Sequence, residues 1–143
     1  YADMTITRFG LGAASKVVEV ASNDGYLLQH FVARGVPVLG IEPAANVAKV
    51  AVERGVPTAV EFLGAATGRQ LAQQHGHADL VAGNNVLAHV PDINDFVQGL
   101  RALLAPDGVI TIPPVACCTL RSMAVMSRAV PAFSWIFTVK DVR

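Results

Sequence analysis

Three short stretches hold side chains that could do chemistry. The first is Glu19-Val20-Ala21-Ser22-Asn23-Asp24-Gly25, the second Gly40-Ile41-Glu42-Pro43, and the third runs from Gly83-Asn84-Asn85-Val86 through Ala88-His89-Val90-Pro91-Asp92. In the first, Ala21, Ser22 and Gly25 are small enough for a ligand to lie against the backbone, and amides entering a following helix can donate to it. In the second, Glu42, 23 residues beyond Glu19, is placed to accept both hydroxyls of a ribose. In the third, two amides and a histidine put hydrogen-bonding groups over the same cleft.

Carboxylates together with asparagine suit a ligand that joins a cationic amino-acid portion to a ribose. S-adenosylmethionine, with its sulfonium and ammonium, fits that description. A dinucleotide would need G-x-G-x-x-G to seat its pyrophosphate on a helix N-terminus. Here the matching stretch has only Gly25, and Glu19 and Asp24 would repel phosphate. A nicotinamide-dependent dehydrogenase is therefore the weaker reading. Each residue also has a plainer explanation: Glu19 as a structural acceptor, Glu42 as a surface acid, His89 as a solvated side chain. His75 and His77 sit between a helix and a strand on the far edge, where solvent exposure is expected.

The elements that must position these stretches can be read from apolar periodicity. Val17 to Ala21 is a short β-branched run, too short for a helix. Gly25 to Arg34 carries a helical pattern ended by Gly35, and 36–41 reads as a second strand with Pro37 at its start. A helix follows from Ala44 to Arg54, with Pro43 in its first turn. Thr58 to Val60 is a weak third strand, a helix spans about Ala65 to Gln74, and Asp79 to Gly83 is the fourth strand. Asp92 reads as the N-cap of a helix reaching Leu104, with Ile93, Phe96, Val97, Leu100, Leu103 and Leu104 on its apolar side. Pro106-Asp107-Gly108 then turns the chain into a fifth strand, 109–112.

Strands alternating with helices predict an α/β, doubly wound, mostly parallel Rossmann-like sheet, with the ligand beyond the carboxyl ends of its strands. The three chemical stretches are the loops after the first, second and fourth strands.

Composition bounds the alternatives. The chain is 52% hydrophobic and 15% charged, and its 143 residues suffice for one domain with a sizeable core. No apolar run approaches the roughly 18 residues of a membrane span, and the polar start, with Asp3 and Arg8, does not read as a secretory signal. Eleven basic and eleven acidic side chains cancel, which gives no reason to expect nucleic acid or an anionic membrane as partner. Cys117 and Cys118 are adjacent, without a second pair to build a zinc site, so no metal is expected. These features suggest a cytoplasmic protein and leave its oligomeric state open.

The motif E-x-A-S-N-D-G-Y-L-L from Glu19, the segment Gly40-Ile41-Glu42-Pro43, and N-N-V-x-A-H-x-P-D from Asn84 resemble the deoxysugar C-methyltransferases, class I enzymes that act on nucleotide-linked 4-keto sugars. The resemblance implies an S-adenosylmethionine-binding core over 1–112. It places Glu19, Ala21, Ser22, Asn23, Gly25 and Tyr26 around the cofactor and Glu42, with Pro43, at its ribose. It also sets Asn84, Asn85 and Val86 at its methionine end and Phe62 against adenine. A proton beside the sugar ketone would be removed, with His89 as base or donor, and the resulting carbanion would take the methyl group.

Members of that family are longer, with a cysteine-rich zinc-binding segment before the core and a further α/β domain after it; neither lies within these residues. After the fifth strand the family carries F-P-H and then Y-H-E-H-F-S-Y, which holds catalytic tyrosine, glutamate and histidine. Residues 113–132 contain no histidine, tyrosine or acid, although 133–142 resemble the family again. A diverged loop and a shifted reading frame would both produce this pattern. Residues 113–143 thus read as a divergent tail, and the sheet is expected to be incomplete at its C-terminal edge. A catalytically incomplete fragment that binds cofactor without turnover is the alternative function.

Overall fold

The computed structural model describes residues 1–84, 86–112 and 135–138. In chain order the elements are α1 (Ala2–Phe9), β1 (Val17–Val20), α2 (Leu28–Val32), β2 (Val38–Ile41), α3 (Ala45–Glu53), β3 (Thr58–Ala59), α4 (Ala65–His75), β4 (Ala78–Gly83), a 3-10 turn (Leu87–His89), α5 (Ile93–Leu103), β5 (Leu104–Ile112) and β6 (Trp135–Thr138). The strands form one sheet in the order β3-β2-β1-β4-β5-β6. The first five are parallel, and β6 pairs antiparallel with β5. This is the doubly wound α/β arrangement the sequence predicts. At the edge expected to be incomplete, β6 extends the sheet.

Because the central strands are buried on both faces, they read as continuous apolar runs and not as alternations. Pairing aligns Val38, Val17, Leu80 and Val109 in one row across the sheet. That row packs under Leu28 and Phe31 of α2, Ala51 of α3, and Ala2 of α1. The intervening residues Leu39, Val18, Val81 and Ile110 face the other way, against Leu71 of α4 and Phe96, Leu100 and Leu103 of α5. Each such buried side chain is worth about 1.5–3 kcal/mol over exposure.

The next row on the first face is different. Gly40, Glu19, Ala82 and Thr111 lie side by side, one pleat closer to the carboxyl ends. Polar and small residues there replace the apolar layer below, and they are buried too.

The pair α4 and α5 is held by glycine contact. A Cβ on Gly68 would meet the Gly99 carbonyl at 2.5 Å, and one on Gly99 would meet the Gly64 carbonyl at 2.6 Å. Asp95 of α5 caps α4, its Oδ1 accepting from the Ala65 amide at 3.1 Å. Asp92 caps α5 as predicted, accepting from the amides of Asn94 and Asp95.

Several sequence expectations need correction. The segment from Tyr1 to Gly10, given no element, is α1, closed by Gly10 in the left-handed region at φ 63°. The helix expected from Gly25 starts at Leu28, because the preceding residues are wound into turns. Pro106 and Asp107 do not end an element before β5. They bulge outward, exposed, while the strand keeps pairing on either side of them, Ala78 to Leu104 and Leu80 to Val109. Ile93, expected on the apolar side of α5, is 40% exposed, and Gly99 takes a buried place on that helix. The expectations about Cys117, Cys118 and the 113–132 block fall outside the described residues. No helix among the described residues is long and apolar enough to cross a membrane.

Candidate cofactor site

The loop after β1 is wound tightly. Ala21, Asn23 and Gly25 all have positive φ, at 57°, 50° and 75°. For Ala21 this conformation costs about 1–2 kcal/mol, and such strain persists where the surroundings demand it. Asn23 offsets its share by a side-chain bond to the Ala21 carbonyl at 2.9 Å. Gly25 packs away from the loop's open side; a Cβ there would press on Val56 at 3.0 Å and Ala51 at 3.2 Å.

Glu42 ties two of the loops together. One carboxylate oxygen accepts from the Asn23 amide at 3.1 Å and the other from the Ala44 amide at 2.9 Å. Each oxygen retains a second lone pair, so the carboxylate can still accept from ribose hydroxyls. It is not the freely solvated surface acid of the plainer reading: it is only 7% exposed.

Glu19 is fully buried on β1. Asn84 Nδ2, at the end of β4, donates to its Oε1 at 3.1 Å, while Oε2 has no partner among the described residues. Burial raises its carboxyl to about 8, against a smaller lowering by the Asn84 bond. Ser22 Oγ is likewise buried without a partner; it occupies the space a Cβ on Gly40 would need. Leaving such a group unpaired costs about 1–3 kcal/mol, which favours a donor for the Glu19 oxygen.

On the opposite face of the same edge lies a cavity of about 360 Å³. Val20, Ile41, Leu63, Val86, Val90 and Phe96 give it an apolar wall, and Ala21, Pro43, Phe62 and the acids Glu61, Asp92 and Asp95 also line it. Phe62 is 77% exposed, an uncovered aromatic ring beside an apolar slot. His89, at the end of the 3-10 turn, also lines the cavity and is exposed.

Of the predicted residues, Ala21, Pro43, Phe62, Val86 and His89 meet in this cavity. Glu19, Ser22 and Asn84 cluster on the other side of the strand ends, with Glu42 and Asn23 between the loops. Tyr26 is 49% exposed and does not line the cavity; Asn85 falls outside the described residues. His75 and His77 are exposed, as expected. Asp24 pairs with Arg54.

Sequence reasoning missed the apolar wall contributed by Leu63 and Phe96. It also missed Thr111, 2% exposed, whose hydroxyl bonds the phenol of Tyr1. The signal for Thr111 was available: it is a lone polar residue within Val109-Ile110-Thr111-Ile112.

The arrangement suits S-adenosylmethionine. An apolar slot takes an aromatic base, an acid between two loops takes a diol, and a buried carboxylate with an unmet oxygen takes an ammonium. Comparison with known proteins agrees. The family described as "Methyltransferase domain" matches residues 2–122. The C-methyltransferase NovU of Streptomyces niveus is 43% identical over 110 residues, 77% of this chain and 26% of NovU. A ubiquinone biosynthesis O-methyltransferase of Chromobacterium violaceum is 33% identical over 72% of this chain and 45% of its own length. This chain thus spans less than half of either relative. The solved structure of an S-adenosylmethionine-dependent methyltransferase from Thiobacillus denitrificans, in complex with S-adenosylhomocysteine, superposes with a TM-score of 0.59 at 15% identity, over 79% of this chain and 47% of that one. The chain belongs to the methyltransferase domain family.

Proposed function

We propose that this chain is the cofactor-binding core of an enzyme that methylates a carbon of a nucleotide-linked 4-keto deoxysugar. Similarity to the C-methyltransferase NovU supports carbon as the acceptor. The motif pairing around Glu19 and Asn84 supports the sugar. The observation that carries the reading is the buried Glu19, with its unpartnered oxygen, set one sheet thickness from an apolar cavity.

In this reading Glu19, Asn84 and Asn85 hold the methionine end, and Glu42 holds the ribose. The strained turn of Ala21, Ser22, Asn23 and Gly25, continued by Tyr26, brings backbone close to the cofactor. Phe62 flanks the base, with Pro43 beside the ribose and Val86 toward the methionine end. The bound cofactor supplies an electrophilic methyl group on a sulfonium. His89 stands at the cavity, exposed, where it can take the proton next to the sugar ketone. Fixing both reactants at the strand ends contributes through orientation as much as through acid–base chemistry.

Incubation with labelled S-adenosylmethionine and a 4-keto nucleotide sugar tests this directly, with label expected in the sugar. One observation favours a second reading, cofactor binding without turnover: residues 113–132 carry no histidine, tyrosine or acid. Binding of S-adenosylhomocysteine without label transfer would select that reading. Binding of NAD instead would overturn both.

A further inference from the structure

The row Gly40, Glu19, Ala82, Thr111 sets one buried carboxyl among uncharged neighbours. Gly40 and Ala82 flank Glu19, and Ser22 Oγ fills the space over Gly40, so the carboxyl is fully enclosed by small, neutral groups. Asn84 closes one side of it. At the end of the row Thr111 takes the phenol of Tyr1, which α1 lays across the same face. The Tyr1 ring is 44% exposed while its hydroxyl end is tucked in, and that burial, partly opposed by the Thr111 bond, raises the phenol, with Glu19 adding to the rise.

Gly40 of β2, Ala82 of β4 and Thr111 of β5 bring no charge to Glu19; Asn84 and Ser22 are neutral; Tyr1, just before α1, brings an un-ionised phenol, and of the charges on α1 Asp3 pairs with Arg34 while Arg8 lies over the Phe9 ring. Among the described residues no lysine, arginine or histidine pairs with Glu19. A carboxyl so enclosed and without a cation is driven to hold its proton. Of the cofactor's two positive groups, only the ammonium can donate a hydrogen bond to the unmet Oε2.

We propose that Glu19 is a proton-exchanging anchor, losing its proton when the cofactor's ammonium arrives, and that the Thr111–Tyr1 pair is a positioning device that keeps water from it beforehand. The proposal rests on the reading of this edge as the cofactor site. The proton leaves Glu19 to solvent, and the ammonium's own N–H replaces it at Oε2. Burial that raises the carboxyl to about 8 puts the exchange within reach near neutral pH.

The test is calorimetric titration of the whole chain with S-adenosylhomocysteine at pH 7, and at steps across the neutral range to locate the midpoint of release, each in two buffers of different ionisation enthalpy. Release of close to one proton per ligand bound is expected. 5′-Methylthioadenosine, which has no ammonium, should release none, and Glu19→Gln should abolish release. Thr111→Val should move the midpoint of release toward the ordinary carboxyl range, and Thr111→Ser should restore it. Binding of S-adenosylhomocysteine without proton release overturns the proposal while leaving the cofactor reading intact. Failure of S-adenosylhomocysteine to bind overturns both. An unshifted midpoint in Thr111→Val removes the Thr111–Tyr1 pair from the device.

Discussion

Replacing Glu19 by glutamine removes a titrating group from the interior and should change how stability depends on pH. The folded carboxyl is raised from 4.5 to about 8, chiefly by burial. The folded state therefore holds a proton that the unfolded state gives up. Stability from this group is complete below about pH 4.5, declines as pH rises, and is lost once pH has passed through about 8. At about 1.4 kcal/mol per pH unit, the loss between pH 5 and pH 7 is about 2–3 kcal/mol, and it levels off above pH 8. Glutamine keeps the shape and one bond to Asn84 and does not titrate. Urea unfolding of both proteins at pH 5, 7 and 9, without ligand, should show the variant gaining on the native chain by that amount between the first two points. Parallel profiles would refute the idea that Glu19 is buried uncompensated.

Three further substitutions probe the frame around the site. Asp95→Ala removes the cap that α5 supplies to α4 and should cost about 1 kcal/mol in chemical denaturation. Gly99→Ala adds helix propensity worth about 1 kcal/mol, yet its Cβ would press on the Gly64 carbonyl. Net destabilisation of at least about 1 kcal/mol is expected, and a gain in stability would show that the helices can separate freely. Ala21→Gly relieves a positive φ and should stabilise by about 1 kcal/mol; a loss of stability would mean the loop is not strained there.

What could be read beforehand follows from what each signal encodes. Val17 to Val20 and Val38 to Ile41 are apolar on both faces, so their strands and the parallel sheet were visible as continuous β-branched runs. The caps were half legible. Asp92 lies next to the helix it caps, but Asp95 caps a helix 30 residues away, and only packing brings the two together. Helix α1 escaped because its buried side includes Thr5, whose hydroxyl bonds the Ala2 carbonyl and so counts as polar in sequence but apolar in place. The shortened α2 reflects the three left-handed positions before it, two of them non-glycine, which no local preference announces.

At the candidate site, residue type and loop position pointed to Glu19, Glu42, Asn84 and His89. Which of them share a face did not follow, because that depends on strand register. Alignment of Glu19 with Ala82, and of Ala82 with Thr111, is what makes Thr111 and Tyr1 part of the story.

The central claim is that the carboxyl edge of this sheet binds S-adenosylmethionine through acids on β1 and after β2. Calorimetric titration of the native chain and Glu42→Ala with S-adenosylhomocysteine and with NAD tests it most directly. Saturable one-to-one binding of S-adenosylhomocysteine alone is predicted, weakened by about 1–3 kcal/mol in Glu42→Ala through loss of charge-assisted ribose bonds. Unchanged affinity in the variant, or binding of NAD in place of S-adenosylhomocysteine, would contradict it.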